Sequence, residues 1–267
     1  MNFKKILDSE NISQDDLLGE SITVARIFEE ATRIESISAS SEQMLSIPEA
    51  WTAINRKIYH RLPKVALNSS KIIQPSSRSL REILLQRNSC RRFSLQAICI
   101  DDIASILNTV ARTNGENENL QRRVYPSAGM RWPIEWYIAA INVSGLELGI
   151  YHYNSFNHSL EVLCLENPWH SLKDAFQMQD ISCPAAVIIL TSIFPRSWVK
   201  YGARGSRFSH MEAGAAGMSF DLAATEVELG VVWLGGFIDH IVADILDLNW
   251  EMELEAPTLC LAVGHPS

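Results

Sequence analysis

Two segments of the chain are apolar almost without interruption, Ala185–Thr191 and Pro257–Val263. A strand with one face in water alternates apolar and polar residues, whereas an unbroken apolar strand is typical of a position covered on both faces. These segments therefore predict two central strands of a sheet. The longest apolar run, Pro184–Phe194, is too short to cross a bilayer, which takes about 20 residues, and it is interpreted as a buried strand.

The remaining hydrophobic pattern predicts further helices and strands around this centre. The predicted helices are Ser79–Arg87, Asp101–Arg112, Phe208–Leu229 and Ile238–Leu246, and the predicted strands are Ile134–Asn142, Gly149–Tyr153, Ser159–Leu163 and Val231–Leu234. Helices and strands do not alternate in strict repeats, so we expect an α+β fold with a mixed central sheet flanked by helices.

The first 71 residues differ in character from the rest. They contain two helix-like stretches rich in charge, Asp15–Ile34 and Ser41–His60, and no catalytic pattern. The polar segment Asn68–Ser79 follows and is interpreted as a linker or arm. We therefore divide the chain into a helical N-terminal extension, residues 1–71, and a main domain, residues 72–267.

Composition excludes several classes of function. The chain has 267 residues, 47% of them hydrophobic, with a net charge of −8 and a pI of 5.4, which argues against a nucleic-acid ligand because phosphates are bound by Lys and Arg. The N-terminus lacks the apolar stretch of a secretory signal, so a cytoplasmic location is expected. The five cysteines are widely spaced, and we expect reduced structural thiols and no metal site.

The segment LQRNSCRRF carries Arg87, Ser89 and Arg91 at alternate positions just after a predicted helix. A basic stretch of this kind is commonly a solvated surface. It also suits an anion, because arginine offers a fork of donors to a phosphate and serine adds a small donor. Both interpretations stay open on these residues alone.

The segment VYPSAGMRWPIEWY places a turn of small residues before a strand. Pro fixes φ and Gly tolerates positive φ, so the turn serves backbone geometry in any case. The same features allow a backbone to approach a flat ring closely. The turn residues are Pro126, Ser127, Ala128 and Gly129.

A third segment, VKYGARGSRFSHMEAG, brings Lys200 and Tyr201 together with Arg204 and Arg207. A lysine or a tyrosine titrates near 10 and is a poor base at neutral pH unless burial or nearby cations lower its pKa. The two arginines are candidates for such cations, and Glu212 is a candidate partner for one arginine. The alternative is a solvated charged surface.

In a fourth segment, VVWLGGFIDHIV, Gly235 and Gly236 follow a short strand and precede a helix. The pattern is neither a dinucleotide fingerprint nor a phosphate-binding loop. It predicts either a plain strand-to-helix turn or a backbone amide that faces an electron-rich ring.

Taken in order, these motifs resemble the SagB-type dehydrogenases of the nitroreductase superfamily, which include thiazole and oxazole oxidases of peptide-toxin pathways. The resemblance covers residues 78–266. It rests on YPSAG followed by PIEWY, on GLELGIYHYNSFNHSLEVL, on KYGARGSRF with MEAG, on WLGGFID and on LAVGHP. It implies a nitroreductase-like fold, usually a homodimer that binds FMN at the subunit interface.

The resemblance also implies roles for individual residues. Arg87, Ser89 and Arg91 match positions that hold the flavin, Pro126–Gly129 match the turn beside its ring, and Gly235 and Gly236 match the strand end at its hydride-accepting edge. Lys200 and Tyr201 match a pair implicated in azoline oxidation. Many relatives carry a Gln-Asn pair near the flavin where this chain has Met218 and Ser219, so Ser219 is a weaker candidate contact.

The implied activity is oxidation of azoline rings to azoles in a ribosomally made peptide, beside cyclodehydratase subunits of a synthetase complex. The N-terminal extension is then a candidate docking segment for the precursor peptide or these subunits. Two alternatives remain, a stand-alone NAD(P)H-dependent reductase of nitro compounds or quinones and a flavin-free scaffold subunit.

Overall fold

The computed structural model describes residues 14–33, 57–68, 77–113, 122–249 and 254–267. Its helices are α1 (Gln14–Ala31), α2 (Leu80–Gln86), α3 (Ile100–Val110), α4 (Trp169–Ala175), α5 (Pro195–Tyr201), α6 (Arg204–Glu226) and α7 (Asp239–Ile245). Its strands are β1 (Lys64–Ala66), β2 (Ile98–Cys99), β3 (Ile134–Ala140), β4 (Val143–Ser144), β5 (Gly149–Asn154), β6 (Ser159–Cys164), β7 (Ala186–Ile193), β8 (Gly230–Leu234) and β9 (Glu255–Gly264).

Seven strands form the main sheet in the order β1-β6-β5-β3-β7-β9-β8, and all neighbours in it run antiparallel. Parallel pairing occurs beside it, between Ser89 and Val231 at the β8 edge and between β2 and β4. Strands β7 and β9 lie inside the sheet, as their apolar sequences predict. The predicted α+β fold with helices flanking a central sheet is confirmed, and its parallel pairing is limited to the Ser89–Val231 bridge and to the separate pair β2–β4.

Apolar layers cover both faces of the sheet. On one face, alternate residues of β3, such as Trp136 and Ile138, pack with α3 and α6. On the other face, Tyr137 and Ala139 pack with α4 and α7. This alternation follows from the two-residue period of a strand, and α6 therefore lies directly on the sheet.

Several predicted boundaries change. Helix α6 begins at Arg204 rather than Phe208, and the short helices α4 and α5 were not predicted. The predicted helix Asp15–Ile34 corresponds to α1. The predicted helix Ser41–His60 lies largely outside the described residues, and its described part, 57–60, is not helical.

Strand β1 lies within the first 71 residues and pairs with β6. It is followed along the chain by Leu67, which is buried in the main core. The segment 57–68 is therefore attached to the sheet, while the division of the chain near residue 72 stays a prediction.

Charged groups are buried at the sheet. The carboxylate of Glu255 accepts hydrogen bonds from Lys57 at 2.7 Å, from the Tyr137 hydroxyl at 2.9 Å and from the Thr191 hydroxyl at 2.6 Å. These bonds tie the segment before β1 to β3, β7 and β9. Buried charges are retained when they are paired in this way.

A second buried group centres on His152, whose ring nitrogens lie 3.0 Å from Glu161 and 3.1 Å from Glu135. Burial alone raises the pKa of each carboxyl. It is outweighed at Glu135 by Arg196 and His152, and at Glu161 by hydrogen bonds from His152, the Tyr59 amide and other donors, so both pKa values fall to about 2.

These two lowered pKa values predict an acid-sensitive fold. An unfolded carboxyl titrates near 4.5, so the stabilisation is complete above that pH and is lost as the pH falls towards 2. We expect Glu161→Gln to lower the free energy of unfolding at pH 7 by about 3 kcal/mol, because it breaks a buried pair, and to reduce the loss on acidification. Urea unfolding measured against pH checks this, with the exposed Glu166→Gln as control.

Within the described residues, no helix is both long and apolar enough to cross a membrane. In that same part of the chain, no group of three or more His, Cys, Asp or Glu side chains is arranged to hold a metal ion. All five cysteines are described and carry free thiols.

Candidate active site

Lys200 and Tyr201 lie at the end of α5 and converge on the turn at Gly129. A Cβ atom at Gly129 would lie 2.5 Å from the Tyr201 hydroxyl and 2.7 Å from the Lys200 amine. Gly129 also has a φ of +59°, which side-chain-bearing residues seldom adopt. The glycine thus lets the backbone approach both functional groups, and the structure brings two of the four sequence motifs together.

Helix α5 is fixed one turn before Lys200. The guanidinium of Arg196 lies 2.6 Å from the Glu135 carboxylate and donates to the Trp132 carbonyl at 2.8 Å. The backbone carbonyl of Arg196 in turn accepts from the Arg131 side chain at 2.6 Å. The segment after the Gly129 turn therefore holds the helix that carries Lys200.

Arg204 and Arg207 bind helix α1. Arg204 donates to the Thr32 carbonyl at 2.8 Å, and Arg207 donates to the Glu29 carbonyl at 3.0 Å and pairs with the Glu29 carboxylate. Cations at the last carbonyls of a helix are favourable. The expectation that these arginines act as cationic neighbours of Lys200 is not supported by their contacts.

Glu212 lies in α6 and is only 3% exposed. Burial raises its pKa to about 7, although the Ser127 hydroxyl and the charges of Arg123 and Arg196 act in the opposite direction. The sequence interpretation considered Glu212 only as an arginine partner, and it overlooked Arg123. The signal available was a single acidic residue among the small residues of MEAG.

The tyrosine of the YPSAG motif is part of the same buried region. The Tyr125 hydroxyl accepts from Arg123 at 2.7 Å and from the Trp136 indole at 3.2 Å. The Ser127 hydroxyl accepts from the Trp132 amide at 2.9 Å. Buried hydrogen bonds of Tyr125 and Ser127 therefore hold the turn on its inner side, while Gly129 itself is exposed.

A second group of candidate residues is distributed along β8. The Arg87 guanidinium lies 3.6 Å from the buried carboxylate of Asp221. Ser89 pairs with Val231, and its side chain and that of Arg91 are exposed. Gly235 and Gly236 directly follow β8, and a Cβ at Gly235 would meet nothing within 4 Å.

The two groups lie towards opposite ends of α6. Tyr201 packs against Phe208, and Arg87 lies beside Asp221. At 1.5 Å per residue these two positions on α6 are about 20 Å apart along the helix. Ser219 lies at the Asp221 end, where its hydroxyl donates to the Ala215 carbonyl at 2.9 Å. One copy of the chain therefore does not bring all the predicted site residues together.

The residues beside β8 fit an FMN molecule. The exposed guanidinium of Arg91 and hydroxyl of Ser89 offer donors suited to a phosphate. The backbone at Gly235 is open, since an added Cβ atom would meet no other atom within 4 Å. The chemistry of these donors therefore agrees with the cofactor that the motifs imply.

Sequence comparison extends this picture. The Nitroreductase family matches residues 84–265, more than half of the chain. A Methanocaldococcus jannaschii protein named as a nitroreductase is 30% identical over 187 residues, which cover 70% of this chain and 90% of that protein. The Escherichia coli microcin B17-processing protein McbC is 29% identical over 136 residues, 48% of this chain and 49% of McbC, so this match spans about half the length of that relative.

Structural comparison supports the same fold. A chain of the E. coli microcin synthetase McbBCD complex, solved with a truncated pro-MccB17 bound, superposes with a TM-score of 0.61 at 20% identity, covering 97% of this chain and 99% of that chain. At this identity the likeness concerns the fold alone. The family match across residues 84–265 shows that the chain belongs to the nitroreductase family of oxidoreductases.

Proposed function

We propose that this chain is an FMN-dependent dehydrogenase that oxidises thiazoline or oxazoline rings to thiazoles or oxazoles in a ribosomally synthesised peptide. The observation that carries the proposal is the convergence of the Lys200 amine and the Tyr201 hydroxyl on the Gly129 turn. A simple reductase has no need for such a pair. Similarity to a microcin-processing protein supports the same substrate class.

Aromatising an azoline removes a proton from one ring carbon and a hydride from its neighbour. Bound FMN supplies the hydride acceptor. Lys200 and Tyr201 handle the proton, the amine as acceptor and the hydroxyl as a donor that holds the ring or passes the proton on. Gly129 leaves room for both groups at one point, which favours an aligned approach of the peptide.

The separation of about 20 Å along α6 between the positions that the two residue groups contact supports a homodimer in which one copy supplies the Arg87 group and the other supplies the Lys200 group. Coexpressed Lys200→Ala and Arg91→Ala chains test this arrangement. If sites are shared, each mixed dimer contains one intact site, and activity exceeds that of either variant alone. Activity no higher than the sum of the two variants contradicts a shared site.

The partners proposed are a precursor peptide and cyclodehydratase subunits of a synthetase complex. The structural likeness to a chain of the microcin synthetase complex supports this proposal. Within residues 1–71, helix α1 is bound by Arg204 and Arg207 in the first turn of α6, the helix that follows α5 along the chain.

A stand-alone nitro or quinone reductase is the second candidate. The M. jannaschii relative named as a nitroreductase, matched over 90% of its length, favours it. Rapid flavin reduction by NAD(P)H with turnover of nitro compounds, together with no change in azoline peptides, would decide for this candidate.

The test is to purify the protein, record its absorbance spectrum and incubate it with an azoline-containing peptide. We expect a flavin spectrum and, by mass spectrometry, loss of two hydrogens per ring. A colourless protein that leaves the rings unchanged would support a flavin-free scaffold, a role with which the Met218 and Ser219 positions agree.

We expect Arg91→Ala to weaken FMN binding about tenfold, because one charge-assisted hydrogen bond contributes about 1.5 kcal/mol. Arg91 is exposed, so its loss leaves the fold intact. Fluorescence titration of the flavin-free protein with FMN measures the change. Arg61→Ala, an exposed arginine before β1 on the far side of the sheet, is the control and should bind FMN as the parent does.

A further inference from the structure

Asp221 is a charged residue on the buried face of α6. Its side chain is only 1% exposed, and its Oδ1 atom has no hydrogen-bond partner among the described residues. Removing a carboxylate from water is costly unless the charge is paired, and buried polar atoms without a partner are rare in native proteins. The contacts of the other oxygen atom indicate what the carboxylate does at this position.

The Oδ2 atom of Asp221 joins two segments of the proposed FMN site. It accepts a hydrogen bond from the Trp233 indole at 2.9 Å and lies 3.6 Å from the Arg87 guanidinium. Helix α2 ends at Arg87, and Trp233 lies in β8 two residues before Gly235. One carboxylate thus connects the segment that begins with Arg87 to the strand end at Gly235.

The indole ring of Trp233 packs against α6 at a glycine. Gly217 precedes Asp221 by one helical turn and lies on the same face of α6. A Cβ atom at Gly217 would lie 3.2 and 3.3 Å from two ring atoms of Trp233, which is closer than side chains normally pack. The ring therefore fits closely against the helix, and its N–H fixes the Oδ2 atom that lies beside Arg87.

We propose that Asp221 is a positioning residue for FMN, which holds the Arg87 guanidinium in place for the cofactor. This inference rests on the proposed function, because it concerns the same bound flavin. The Arg87 side chain is 31% exposed, whereas that of Asp221 is buried, so Asp221 acts through Arg87. A long side chain loses conformational freedom when it binds a ligand, and a partner that orders it in advance lowers this cost.

The charges of the site make the direction of the effect informative. The ion pair of Asp221 and Arg87 carries no net charge, so Arg87 offers the cofactor an oriented fork of hydrogen-bond donors. Electrostatic attraction alone predicts that removal of the Asp221 charge strengthens the binding of an anionic cofactor. Positioning predicts the opposite, because the guanidinium is then no longer ordered.

The experiment is a double-mutant cycle on the affinity for FMN. The parent, Asp221→Asn, Arg87→Ala and the double variant are freed of flavin as full-length proteins and titrated with FMN by fluorescence. Asparagine keeps the size of the side chain and an oxygen that accepts from Trp233, and it removes the charge beside Arg87. We expect each single variant to bind FMN about tenfold more weakly, and Asp221→Asn to cause no further loss in the Arg87→Ala protein.

Asp244→Asn changes an exposed aspartate of α7 and is the control, which should bind FMN as the parent does. A merely structural role of Asp221 would weaken FMN binding to the same extent with and without Arg87. Equal losses in the two backgrounds would therefore overturn the proposal. Stronger binding by Asp221→Asn would also overturn it, because the carboxylate would then act only through its charge.

Trp233→Phe covers the case in which Asp221→Asn does not fold. Phenylalanine keeps an aromatic ring against Gly217 and removes the N–H that bonds Asp221. We expect FMN binding to be about threefold weaker in this variant, and we expect the loss to disappear when Arg87 is alanine. A loss of the same size in the Arg87→Ala protein would contradict the positioning role.

The affinity for FMN is measured without an azoline substrate, so the two proposals can fail separately. Losses that depend on Arg87, in a protein that oxidises no azoline, would sink the proposed peptide chemistry and leave the role of Asp221 supported. Losses that do not depend on Arg87, in a protein that oxidises azolines, would sink only the role of Asp221. A parent protein that binds no FMN would overturn both proposals.

Discussion

Replacing Lys200 by alanine is expected to slow azoline oxidation by about a hundredfold to ten-thousandfold, the usual contribution of a positioned acid or base. The side chain lies in the last turn of α5 and is exposed, so its truncation leaves the core unchanged. FMN should stay bound, because Lys200 is not among the residues proposed to hold it, and Arg87, Ser89 and Arg91 lie towards the other end of α6. The loss should therefore appear in turnover and not in the flavin spectrum.

Single-turnover reactions monitored by mass spectrometry measure this effect, with flavin content determined from absorbance on the same sample. Lys173→Ala, which removes an exposed lysine from the last turn of α4, is the matched control and should oxidise rings at the parent rate. Tyr201→Phe separates the two members of the pair, since it keeps the ring that packs against Phe208 and removes only the hydroxyl. Full activity of Lys200→Ala would contradict the assignment of the base.

The fold was predictable where buried elements have a regular pattern of apolar residues in the sequence. Continuous apolar runs identified β7 and β9, and helical spacing identified α3 within two residues of its bounds. Strand β1 was not predicted, because it has only three residues, Lys64–Ala66, and these are too few to show a periodic pattern. Its pairing with β6 is a long-range contact, which local propensity does not encode.

The candidate site was predictable in part. The motifs pointed to Lys200, Tyr201 and Gly129, but their convergence depends on the packing of α5 against the segment before β3. That packing depends on buried charged side chains, among them the ion pair of Arg196 and Glu135. In the sequence these two residues cannot be distinguished from ordinary polar residues of a helix and a strand. Pairing of buried charges is a property of the folded chain, and no spacing rule identifies it.

The Gly129 turn offers a test in which activity and stability separate. In Gly129→Ala the added Cβ would lie 2.5 Å from the Tyr201 hydroxyl and 2.7 Å from the Lys200 amine. Both are the far ends of long side chains, which move aside at little cost to the fold. The positive φ of +59° adds about 1 to 2 kcal/mol for a residue other than glycine.

We therefore expect Gly129→Ala to lower the free energy of unfolding by only about 1 to 2 kcal/mol but to slow ring oxidation about a hundredfold, because a displacement of about 1 Å in a reacting group has an effect of that size.

Gly145→Ala is the control. Gly145 also has a positive φ, +87°, and its Cβ would meet Ile100 at 2.9 Å, outside the proposed site. It should lose comparable stability and keep its activity. Unfolding curves and single-turnover rates for both variants decide the matter: if Gly129→Ala oxidises azolines as fast as Gly145→Ala does, the close approach of the turn to Lys200 and Tyr201 has no part in the reaction.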